Sequence, residues 1–135
     1  MSSANPSSAP LDQPFWDGLD EGRLMISACV ACAHWIWPPQ WRCGECGGWE
    51  MAWHDVGKTG VVHSLTRTHH PFAPAMMGRT PFATLLVELP QAGGARLLGL
   101  VADDAGELAI GSAVTADIIG SPAMLRWRAA EGETA

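Results

Sequence analysis

Four cysteines stand in two C-x2-C pairs separated by ten residues: Cys29 and Cys32, then Cys43 and Cys46. A C-x2-C knuckle points both sulfurs the same way, and two facing knuckles form a tetrahedral cage with metal–sulfur distances of ~2.3 Å for zinc. The competing readings are two disulfides, which a cytosolic chain disfavours, or four idle thiols, which the paired spacing argues against. A ten-residue spacer suits a zinc ribbon or a rubredoxin-like hairpin. Rubredoxin iron uses the same four ligands, so electron transfer stays open beside a structural zinc. Zinc is preferred, because the knuckles are appended to a larger β-rich segment and no second redox centre is suggested. Such a metal would fold a module too small to fold unaided. The second knuckle, CGECG, has Gly47 where a positive φ is often needed. The first, CVACAH, has Ala33 there and is expected to be less regular.

Five of the seven tryptophans lie in or beside this module: Trp35, Trp37, Trp41, Trp49 and Trp53. They supply a miniature core, since four ligands and a metal bury little area. WIWPPQW nevertheless puts Trp35, Trp37 and Trp41 in a proline-rich connection, and tryptophan is a favoured anchor at protein interfaces. These three are the candidate partner-facing rings.

The chain has no GxSxG, HExxH, P-loop or GxGxxG motif, and no tyrosine. His34 sits beside the metal module and His63 within a strand candidate. His69 and His70 open the loop THHPFAPAMMGRTP, which also holds Phe72 and ends near Arg79. Long loops on rigid barrels often carry binding work. Arg67, His69, His70, Phe72 and Arg79 are therefore the candidate ligand- or partner-facing group, with no catalytic residue assigned.

The elements that must hold these groups are short and mostly extended. Asp12, Pro14 and Gly22 bracket PFWDGLDEG as a short capped helix. RLMISACVAC runs extended into the first cysteine pair, and WEMAWHDV alternates with a period of two. Beyond residue 57 come five strand candidates: TGVVHSLTRTH, PFATLLVELP, ARLLGLVA, SAVTADIIG and MLRWRA. GRTP, QAGG, DDAGELAIG and GSP separate them with turn chemistry, and DDAGELAI is a candidate helical turn. Five such strands fit a small OB-type barrel. No internal repeat is visible beyond the doubled C-x2-C.

The expected organisation is a disordered tail over 1–14, a helix and lead-in strand over 15–28, and a zinc ribbon over 29–55. An OB fold over 56–129 and a tail over 130–135 follow. The fold class is mainly β. No stretch reaches the ~20 apolar residues of a membrane span, so the chain is expected to be soluble and cytoplasmic.

Charge argues against a nucleic-acid role. The net charge of −6 divides into −5 over residues 1–55, +3 over 56–100 and −4 over the rest, and there is one lysine. Strand binding needs a basic groove and aromatic platforms. The middle strands here offer Phe82 and otherwise aliphatic residues. The mildly basic middle could meet a few phosphates on a small ligand.

The order FWDGLDEGRL, C-x2-C, PP before a second C-x2-CG, KTGVVHSLT, PFATLLVEL, ARLLG, IGSAV and a terminal RW resembles the domain-of-unknown-function family thirty-five, over about residues 15–128. That resemblance implies an N-terminal helix, a rubredoxin-like zinc ribbon with Cys29, Cys32, Cys43 and Cys46 as ligands, and a C-terminal OB fold. Members of the family accompany thiolase-fold, lipid-transfer-protein-like enzymes as accessory subunits in acyl-CoA chemistry, including thiolase or acyltransferase reactions and retro-aldol cleavage of steroid side-chain CoA thioesters. The resemblance implies a hetero-oligomer in which the partner supplies the catalytic groups. This chain would then organise the complex and help to bind a shared CoA thioester.

Overall fold

The computed structural model describes residues 10–70, 74, 77–78, 81–102, 107–120 and 123–130. The chain opens with helix α1 (Gln13–Asp20), which has Pro14 in its first turn and buries Phe15, Gly18 and Leu19. The Asp12 carboxylate does not cap the backbone. It accepts a hydrogen bond from Trp16 Nε1 at 3.0 Å instead, one turn on. The helix stops where Gly22 adopts φ 75°, while its N–H and that of Arg23 return to the carbonyls of Leu19 and Gly18. This is the glycine-terminated stop that the sequence suggests. The helix starts at Gln13, inside the segment assigned to the tail.

Three short strands form the first sheet: β1 (Met25–Cys29), β2 (Trp35–Ile36) and β3 (Met51–Asp55), in the order β2-β1-β3 and antiparallel throughout. β1 is buried along nearly its whole length, and Ser27, its one buried polar residue, donates its hydroxyl to Ile36 O at 2.7 Å.

The second sheet closes on itself. Its strands β4 (Thr59–Thr68), β5 (Phe82–Leu89), β6 (Ala95–Val101), β7 (Ala113–Ile119) and β8 (Met124–Ala129) follow the order β4-β5-β6-β8-β7. All pairings are antiparallel except β6 with β8. The five strand candidates match these five strands to within two residues at each end. A bulge between Val62 and Ser64 re-aims β4, so that Val62 is inward before it and His63 stands out at the break. Glu107–Ala109 carry no helix; the rest of the predicted helical turn includes residues 103–106, outside the described set.

Inward residues of every barrel strand meet in one core: Val62, Leu85, Val87, Leu89, Leu97, Val114, Ala116 and Trp127. Trp127 is the largest fully buried side chain among the described residues, and Gly99 on β6 makes room for it. A Cβ on Gly99 would lie 2.5 Å from the indole nitrogen. The same cluster continues through Leu24 and Ile26 to Phe15 and Leu19. Helix, lead-in strand and barrel thus share one apolar interior, while the cysteine end keeps a small cluster of Cys29, Ile36 and Cys43 with Met51 against it.

Candidate metal centre and its surroundings

The end of β1 delivers Cys29, and a tight turn brings Cys32 back beside it. Cys29 N–H donates to His34 O at 2.9 Å, and Ala33 N–H donates to Cys29 O at 2.8 Å. The second knuckle closes in the same way: Cys43 N–H to Gly48 O at 2.8 Å, and Gly47 N–H to Cys43 O at 3.0 Å. Ala33 and Gly47 hold matching positions with φ 66° and 80°. The first knuckle is therefore as regular as the second, contrary to the expectation drawn from Ala33. The turn dictates the dihedral, and alanine accepts it at a cost.

All four sulfurs lie within 4.8 Å of one another, with Cys29 to Cys46 at 3.5 Å and Cys32 to Cys43 at 3.6 Å. Sulfurs set tetrahedrally ~2.3 Å from a zinc ion stand about 3.8 Å apart, so the cage fits. The backbone tunes the sulfurs. The N–H of Cys46, then that of Glu45 (3.3 Å from Cys43 Sγ), bring the Cys43 thiol down to about 6, into the thiolate form that binds metal. At Cys32 the His34 N–H pulls down, but desolvation and the neighbouring sulfurs outweigh it and push the thiol up to about 12. Four sulfurs this close share negative charge well only with a cation between them. Four protein ligands would leave a zinc ion no open position for a substrate, so the role it would supply is structural.

The repeat extends further than the cysteines. Residues 29–35 and 43–49 both read C-x2-C-x2-W, which corrects the expectation that nothing repeats beyond the doubled C-x2-C. The two tryptophans have opposite fates. Trp35 packs on the core cluster, against Gly93 of the barrel, with its ring 5.6 Å from that of His54. Trp49 is 70% exposed and carries the Arg42 guanidinium 5.2 Å from its ring centroid.

The other sequence candidates are dispersed. Trp37 is half-buried, 4.8 Å from Phe15 and packed on the core, whereas Trp41 is exposed. Arg67 lies exposed near the end of β4, paired with Ala83, and His69 and His70 follow it, also exposed. Phe72 and Arg79 lie outside the described residues. Sequence reasoning did not single out the groove of about 600 Å³ between α1, the Trp37–Pro38 corner and β5–β6. Phe15, Trp16, Trp37, Leu86 and Leu98 line it, with Arg96 beside them. Its signal was faint: outward leucines at 86 and 98, cross-strand partners in the barrel.

A four-cysteine ribbon joined through one core to a five-stranded barrel defines a two-module architecture. Residues 16–51 match the ChsH2 rubredoxin-like zinc ribbon domain, and residues 53–118 match the ChsH2 C-terminal OB-fold domain. The chain belongs to this family, the domain-of-unknown-function family thirty-five. The solved structure described as the Ltp2-ChsH2(DUF35) aldolase is 27% identical, with a TM-score of 0.79 over 93% of this chain and 98% of that one. A DUF35 protein of unknown function from Sulfolobus solfataricus shares the fold at 21% identity and a TM-score of 0.60, over 92% and 88% of the two chains. A probable enoyl-CoA hydratase alpha subunit of Thermomonospora curvata is 32% identical over 123 residues. That match takes in 90% of this chain, which spans only 35% of the relative's length.

Proposed function

We propose that this chain is a non-catalytic, zinc-binding accessory subunit of a thiolase-fold acyl-CoA enzyme in the cytoplasm. It organises a hetero-oligomer and contributes to binding a CoA thioester that the partner transforms. One observation carries the reading: the chain aligns with 98% of a chain in a structure described as an Ltp2-ChsH2(DUF35) aldolase. The name of the Thermomonospora relative points to CoA-thioester chemistry too. A zinc ion held by all four cysteines would be closed to substrate, which suits a scaffold rather than a catalyst. In this reading Arg67, His69, His70, Phe72 and Arg79 face the acyl-CoA or the partner, and Trp35, Trp37 and Trp41 contribute to the partner interface. The apolar groove by Trp16 and Leu98 offers further surface for contact.

The test is co-expression with a thiolase-fold protein encoded nearby, followed by size-exclusion chromatography and metal analysis. A stable complex with one zinc per copy of this chain is expected, with acyl-CoA turnover by the complex and none by this chain alone. Failure to co-purify, or turnover by the isolated chain, refutes the accessory role. Red, iron-loaded protein with a reversible one-electron wave would point to electron transfer instead.

A further inference from the structure

The two knuckles are alike inside but differ in what supports them. The first is built into a sheet: Cys29 ends β1, Trp35 begins the paired part of β2, and Trp35 is wedged against Gly93. The second lies between residues 37 and 50, where the described backbone has no helix or strand. Val30 N–H donates to Glu50 O at 3.0 Å and ties the end of this segment to the first knuckle.

Arg42 lies directly across this second turn. Its Nε donates to Gly47 O at 3.1 Å, and a Cβ on Gly47 would lie 3.2 Å from a guanidinium nitrogen. The exposed Trp49 ring stands 5.2 Å from the guanidinium carbon, within cation–π range. In the first repeat the position equivalent to Arg42 is Ala28, a buried β1 residue with no such side chain. The brace therefore belongs to the knuckle that lacks a sheet.

We propose that Arg42, held by Trp49, is a positioning residue for the metal centre: it fixes the Gly47 turn and thereby holds Cys46 on the metal. This rests on the four sulfurs binding zinc, as read above. Partners outside the ligand sphere commonly change metal affinity by about 10- to 100-fold.

Zinc-loaded wild type, Arg42→Ala, Arg42→Lys and Trp49→Ala are compared by chelator competition. Rates of iodoacetamide modification at Cys46 and Cys32, both exposed, are read by peptide mass. Arg42→Ala is expected to lose about tenfold in zinc affinity. Cys46 should then be alkylated about tenfold faster while Cys32 keeps its rate. Arg42→Lys, with a cation and a donor, should recover most of the loss, and Trp49→Ala should give a smaller shift at the same cysteine. Unchanged affinity in Arg42→Ala, or equal acceleration at both cysteines, overturns the proposal. A wild-type chain that takes up no zinc overturns the metal reading as well, and that outcome is read before any variant is compared.

Discussion

Ala33 holds a backbone conformation that its counterpart Gly47 adopts freely. The left-handed region costs an L-residue roughly 1–2 kcal/mol, partly offset by the greater unfolded-state freedom of glycine. Ala33→Gly is thus expected to stabilise the metal-loaded fold by about 0.5–1 kcal/mol, seen as a higher denaturant midpoint with an unchanged slope. A lower midpoint would show that the methyl group makes a contact that outweighs the dihedral. Position 33 also marks how far sequence reasoning reached. It located the special dihedral after each C-x2-C, yet expected an irregular knuckle because alanine stood there. The metal ligands and the turn hydrogen bonds are shared by both knuckles, and together they override the residue's own preference.

The β7–β8 hairpin shows how charge joins two elements. Asp117 Oδ2 accepts from Arg128 at 2.8 Å and from Arg126, its cross-strand partner, at 3.1 Å. Arg128 and then Arg126 hold the Asp117 carboxyl below its ordinary value of 3.8. A lowered folded-state pKa means that the added stability is full above that ordinary value and is lost as pH falls through the folded one. Asp117→Asn should cost about 1–2 kcal/mol at neutral pH. In urea melts across pH, the gap between variant and wild type should narrow below pH 3.8. A gap independent of pH would remove Asp117 from the clamp. The strands that carry this clamp were legible because β-branched and aliphatic runs alternate with glycine-rich separators. Two-residue β2 was not, since its pairing depends on where the metal turn places it. The Arg42–Trp49 stack was also hidden, because residues seven apart in an irregular loop follow no period.

At the scale of the molecule, one core runs from α1 through β1 into the barrel, while the cysteine end has only its own small cluster. Removing the metal should therefore act locally. In hydrogen exchange, chelation is expected to deprotect amides within residues 29–50 and leave β5, β6 and β7 protected. Loss of protection throughout the barrel would mean that the metal supports the whole fold.

Among the described residues the barrel's shortest join is that of β6 with β8, followed by the three register pairs of β4 with β7. β6 and β8 touch through two register pairs, Leu100 with Arg126 and Val101 with Trp127, extended by Ala102 N–H to Trp127 O at 2.9 Å. β4 and β5, by contrast, are matched along seven pairs. A ring strained by heat or by a pulling force parts at its shortest splice, so the cylinder would unroll into a curved sheet from this seam. Trp127 sits at that parting line and is fully buried, so an opening there would bring its indole into water.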